Sequence, residues 1–157
     1  MTRPVTDDTR AALYANETDQ VFITLITIDH ENLSPPIRVC DDAVDLVSRG
    51  ETFVAMPFED EKPGDDDSGV SAGSITIQNV SLEITQAIRS ISTRPSVLIE
   101  VVRAAAPDVV EMSFPDMEIR EVTWNSLTVT APVGVENFLD EPYPKDSFTP
   151  GLFPGVF

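Results

Sequence analysis

"QVFITLITIDH", residues Gln20 to His30, decides the fold of this chain. Along it Phe22, Thr24, Ile26 and Ile28 alternate with Val21, Ile23, Leu25 and Thr27. Period-two alternation marks a strand, and apolar side chains on both faces mark one that is covered on both sides. Such a strand calls for a layered β architecture.

Downstream, "PPIRVCDD" (35–42) and "ETFVAMPFE" (51–59) are short β-prone runs with a turn near Ser48-Arg49-Gly50, which predicts a hairpin or meander. "EDEKPGDDDSGVSAG" (59–73) mixes Pro, Gly and clustered acids and reads as a loop. "SITIQNV" (74–80) follows as a strand. In "SLEITQAIRSIS" (81–92), Ile84, Ala87, Ile88 and Ile91 fall at i, i+3, i+4 and i+7, so an amphipathic helix is expected over 81–91, capped by Ser81 and stopped before Pro95. "SVLIEVVRAA", "VVEMSF", "MEIREVTWN" and "SLTVTAPV" predict four further strands in antiparallel pairing, with turns at Ala106-Pro107-Asp108 and Trp124-Asn125-Ser126. The alternation slips in "MEIREVTW", the mark of a bulge or of a strand changing environment. Upstream, Thr6 caps a short helix in "TDDTRAALYANE", with Asp7 and Asp8 in its first turn. The expectation is a mainly β domain, an antiparallel barrel or sandwich of about eight strands, with one amphipathic helix and a short N-terminal one.

Residues 1–136 form the β-rich domain in this reading, and 137–157 an extended arm. In "NFLDEPYPKDSFTPGLFPGVF", Pro142, Pro144, Pro150 and Pro154 forbid helix and suppress strand pairing. Extended Pro-rich chain loses little entropy on ordering, and the aromatic and aliphatic side chains between the prolines supply adhesive surface. The arm either wraps its own domain or reaches a neighbouring subunit. The partner-binding candidates are Phe148, Leu152, Phe153, Pro154 and Phe157.

Chemistry is thin in this sequence. With 27 acidic against 10 basic residues the formal net charge is -17, which repels phosphate backbones and anionic membranes. No run approaches the length of a membrane-spanning helix, and "MTRPVTDDTR" has no apolar signal core, so synthesis in the cytoplasm is expected. The one histidine, His30, and the one cysteine, Cys40, would have to form any nucleophile-base pair. Asp41 and Asp42 beside Cys40 disfavour a thiolate, so a packed cysteine is expected. Glu59, Asp60, Glu61, Asp65, Asp66 and Asp67 do not match a calcium loop and read as a solvated charge run. No phosphate loop, zincin helix or nucleophile elbow is present. The expectation is a protein that is not an enzyme and holds no metal or other cofactor. Trp124 reads as core or subunit contact, with a sugar platform as the alternative.

Three stretches carry a resemblance: "VFITLITIDHENLSPPIRVCDDAVDLVSRGETFVAMPFE", "LEITQAIRSISTRPSVLIEVV" and "FTPGLFPGVF". They look like a family of small proteins encoded in tailed-phage and prophage genomes, with "ITLITI", "PIRV", "AIRSIS" and "FPG" as structural motifs. The resemblance implies a tail-tip component of long, noncontractile tails, related to the baseplate hub or distal tail proteins of the lambda-like minor tail class. It further implies a homo-oligomeric ring, a trimer by preference or a hexamer, placed at the virion tail tip between the tail tube and central-fibre or receptor-binding proteins. Lambda-like hubs can add an iron–sulfur domain, for which one cysteine gives no ligand set. The alternatives are a carbohydrate- or small-ligand-binding β module and a tail assembly chaperone.

Overall fold

The computed structural model describes residues 5–62, 72–78, 91, 93–119, 121–125 and 128–134. Its centre is β1 (Phe22–Asp29), which pairs antiparallel with β2 (Ile37–Cys40) on one side and β7 (Ser96–Arg103) on the other. Ile26 and Ile28 face a core shared with Val39, Phe58, Ile75, Ile77, Val97, Ile99, Met117 and Val133. Ile23 and Leu25 face a second, smaller core with Cys40, Phe53 and Val102. The two-sided cover read from the alternation is therefore present. Each of these side chains, fully buried, stabilises the fold by roughly 1.5–3 kcal/mol.

The larger core is closed by curling one sheet onto itself. From β7 the sheet continues through β8 (Ala106–Ile119), β10 (Thr128–Gly134), β6 (Ala72–Gln78) and β5 (Phe58–Glu61), and β9 (Thr123–Trp124) also lies along β10. Val97, Ile99, Ile75 and Ile77 meet in this core although their strands lie far apart in the sheet order. The result is a mainly β, sandwich-like fold. The barrel alternative is not realised among the described residues: β5 ends the sheet on one side and β3 (Leu46–Ser48) on the other, and no ladder between described residues joins them. Lys62, just past β5, instead reaches Thr24 of β1 with its ammonium group, donating to Oγ1 at 3.3 Å.

The smaller core is roofed by a hairpin of β3 and β4 (Glu51–Ala55). Ser48 and Glu51 close its ladder, leaving the two-residue loop Arg49-Gly50 with φ of 52° and 81°. Positive φ at both positions is the turn whose twist matches a hairpin. A Cβ at Gly50 would meet nothing within 4 Å. Gly50→Ala is therefore expected to cost only the left-handed backbone penalty, about 1–2 kcal/mol, read as a lowered denaturant midpoint with unchanged slope. A loss beyond that range would mean that the loop contacts something further.

A polar clasp fixes the hairpin. Arg49 donates through both terminal nitrogens to Glu100 of β7, at 2.8 and 2.5 Å. Ser48 donates to the Pro107 carbonyl at 2.7 Å, and the Arg49 N–H to Asp108 at 2.6 Å. Hydrogen bonding to Glu100 raises the Arg49 guanidinium above its ordinary pKa against the opposing effect of burial.

A second clasp holds α1 (Asp7–Tyr14). Val101 pairs with Met112 and Val102 with Val110, so Glu111 is the extra residue of a β-bulge. Bulges re-aim side chains. Glu111, 3% exposed, accepts from the Thr6 N–H at 2.9 Å, the Thr6 hydroxyl at 2.8 Å and Arg103 Nε at 2.9 Å. Thr6 is the N-cap, and its Oγ1 accepts from the Thr9 N–H as the sequence predicts. Within α1 only Thr9 is buried, while Leu13 and Tyr14 are exposed, so polar contacts dominate its docking.

Several boundaries differ from the sequence reading. β2 and β4 pair in parallel, not as neighbours in a hairpin, because "DLVS" supplies the unpredicted β3 as β4's antiparallel partner. Glu59, Asp60 and Glu61, predicted to open a loop, lie instead on β5, where Phe58 and Asp60 alternate with Glu59 and Glu61 and Phe58 is buried. The turn placed at Ala106-Pro107-Asp108 lies at Ala104-Ala105, and β8 runs through both "VVEMSF" and "MEI". β8 is irregular at Glu111 and at Pro115-Asp116, where Asp116 has φ 58°, and within "MEIREVTW" β8 ends at Ile119 and β9 begins at Thr123. The Asn125 turn is found, with the Asn125 N–H bonded to the Thr128 carbonyl and the Thr128 N–H to Asn125 Oδ1. The helix expected over 81–91 lies, but for Ile91, outside the described residues, as does the arm at 137–157.

Candidate functional site

The histidine and the cysteine expected to form any nucleophile-base pair are separated and engaged elsewhere. His30, 8% exposed at the end of β1, accepts the Asn32 N–H at Nδ1, 3.0 Å away. That assigns the proton to Nε2, which donates to Thr93 Oγ1 at 2.5 Å. Cys40, fully buried, directs its thiol to the carbonyls of Val44 and Phe53. Burial is the chief reason that its pKa is raised, and Asp42, Asp45 and Asp41 add to the rise against a hydrogen bond from Leu46. The thiol stays protonated and acts as a small apolar side chain of the second core.

The acidic run divides. Asp60 pairs with Lys62 at 2.5 Å, Glu59 and Glu61 lie on β5, and Asp65, Asp66 and Asp67 fall outside the described residues. Among the described residues no group of three or more His, Cys, Asp or Glu is placed to hold a metal ion. No helix among them is long and apolar enough to cross a membrane.

Two surface features remain. An open groove of about 390 Å³ is lined by Asp29, His30, Glu31, Thr93, Arg94 and Ser96. Arg94 on its rim faces Glu118 at 3.7 Å. The groove offers two carboxylates, a guanidinium and hydroxyls, the equipment of a polar binding site.

The other feature is the outside of the β3–β4 hairpin. Alternation turns Leu46, Ser48 and Phe53 inward, leaving Val47 and Val54 outward at 57% and 49% exposure, with Val44 before them at 64%. Val109, at the start of β8, is 42% exposed. Sequence reasoning had no notice of this surface, because exposed and buried valines look alike until the hairpin's inner face is known. The available signal was the double alternation itself, Phe53 against Val54 and Leu46 against Val47.

The partner-binding candidates Phe148, Leu152, Phe153, Pro154 and Phe157 all lie outside the described residues, and of Trp124 only the backbone is described. No protein of curated function matches the chain. A family model described as Domain of unknown function (DUF1833) matches residues 8–148, nearly the full length, and the chain belongs to that family.

Proposed function

We propose that this chain is a structural subunit of the tail tip of a long-tailed, noncontractile phage. In this reading it forms a homo-oligomeric ring, a hub or distal tail component, that connects the tail tube to central-fibre or receptor-binding proteins. The observation that carries the proposal is an open sheet whose terminal hairpin displays Val47 and Val54 to solvent, with exposed Val44 just before it. An open sheet with an apolar outer face is finished by partners, and a ring supplies partners at every subunit. The resemblance of "ITLITI", "PIRV", "AIRSIS" and "FPG" to tail-tip proteins points the same way.

Immunogold electron microscopy of phage particles from the source lysate, with antibodies to the purified chain, tests the role. Gold at the tail end is the expected result. Labelling of free protein, with none on intact or detergent-opened particles, would overturn it in favour of an assembly chaperone that leaves before maturation.

The polar groove beside His30 favours a second reading, a carbohydrate- or small-ligand-binding β module. Chemical-shift changes at Asp29 to Glu31 and Thr93 to Ser96 on adding glycans would support that reading, and no change across a glycan panel would remove it.

A further inference from the structure

The outer hairpin face carries Val47, Thr52 and Val54, with Thr52 pairing with Val47 across the ladder, Asp45 at its edge and exposed Val44 just before it in sequence. In sequence they are flanked by Asp41, Asp42, Asp45 and Glu51. Two such hairpins docked face to face would bring these acids against their own copies, and like charges across an interface oppose association.

The chain contains a segment that avoids that repulsion. Ser147 to Phe157, "SFTPGLFPGVF", has no charged side chain and carries Phe148, Leu152, Phe153, Val156 and Phe157. Its prolines limit the ladder bonds it can form, so side-chain contact with an apolar face is its natural mode of binding. Residues 135–157 follow β10 and have a maximum reach of about 75–80 Å. β10 ends at Gly134, which pairs with Glu118 near the end of β8. The hairpin is clasped at Pro107 and Asp108, near the start of that strand. Donor segment and acceptor face are thus different parts of the chain, and contact between unlike patches is the arrangement that builds rings.

We infer that residues 147–157 of one copy dock on the outer face of the β3–β4 hairpin of a neighbouring copy. The inference rests on the ring reading and names the surface through which the ring is joined. Full-length chains carrying Val47→Cys and chains carrying Phe153→Cys are co-expressed and oxidised with diamide, with the mass in solution followed by light scattering. Because the two thiols are on separate chains, a disulfide between them is intermolecular by construction. A cross-linked heterodimer is expected, mapped by peptide mass to the two substituted positions. It should be absent when Val21→Cys, on a different exposed surface, replaces Val47→Cys. Val47→Asp, an exposed change that spares both cores, is expected to raise the concentration for half-dissociation at least tenfold. An oligomer without the cross-link overturns the docking and leaves the ring reading standing. A disulfide that forms only within a chain bearing both substitutions overturns the assignment to a neighbour. A monomer at every concentration overturns both.

Discussion

Glu111→Ala is expected to release α1 and to lower stability by about 2–4 kcal/mol, the cost of stripping a buried, hydrogen-bonded charge site of its acceptor. Three donors lose their partner together: the Thr6 N–H, the Thr6 hydroxyl and Arg103 Nε. Arg103, only 12% exposed, retains the surface carboxylate of Asp8 at 3.4 Å. An eight-residue helix does not persist in water on its own. Amide exchange at Arg10, whose N–H bonds to the Thr6 carbonyl, is the direct readout and should rise to the rate of an unfolded segment. The same contact sets a pH dependence. Burial pushes the Glu111 carboxyl up, but the hydrogen bonds from Thr6, Thr9 and Arg103 outweigh it and bring the pKa below its ordinary 4.5. A carboxyl with a depressed folded pKa contributes stability that is fully present above its unfolded value and is lost as pH falls through the folded one. α1 should therefore stay docked at neutral pH and loosen only below about pH 4.5. Glu111→Gln should lack this contribution and titrate less steeply there. Unchanged exchange at Arg10 in Glu111→Ala would show that the helix is held by something else.

Arg49→Ala is expected to destabilise the chain by about 2–3 kcal/mol, because it leaves the carboxylate of Glu100 without its charge partner. The Glu100 side chain is 6% exposed and Arg49 is 41% exposed, so solvent screening places the loss below the roughly 3–5 kcal/mol of a fully buried pair. Arg49→Lys should recover less than half, since an ammonium cannot reproduce the two-pronged contact. The informative variant is Arg49→Ala combined with Glu100→Leu. An apolar side chain beside Val102 and Leu25 needs no partner, so the pair should be more stable than Arg49→Ala alone, and urea denaturation of the four proteins closes the cycle. Additive losses would mean that the two side chains do not act as a unit.

The sequence spoke clearly where a local rule determined the outcome. Both faces of β1 were legible from Ile23 and Leu25 against Ile26 and Ile28, and both cores are found there. The Arg49-Gly50 turn, the Thr6 cap and the Asn125 turn rest on backbone chemistry confined to four residues or fewer, and all three are present. Pairing was harder, because alternation reports which way side chains face and not which strand lies alongside. Hence the parallel β2–β4 pair and the three-residue β3 went unseen. Glu111 escaped notice for a related reason. In "VVEMSF" it looks like an exposed strand carboxylate, and only the extra residue opposite Val101 and Val102 turns it toward Thr6. The open sheet is likewise a property of its two edges, β3 and β5, which no local pattern encodes.

A strand covered on both sides divides the interior it helps to build. Among the described residues the core beneath the hairpin has five buried members and the curled-sheet core thirteen, so the two compartments differ widely in apolar surface. Proteins open in cooperative units, and the smaller unit opens at the lower free energy. The hairpin can lift from β1 while the larger compartment stays shut, exposing Cys40 and Phe53 without global unfolding. Arg49 and Glu100 then act as the latch on that partial opening, and the free energy of lifting the hairpin, separate from that of unfolding the chain, becomes the quantity on which selection can act.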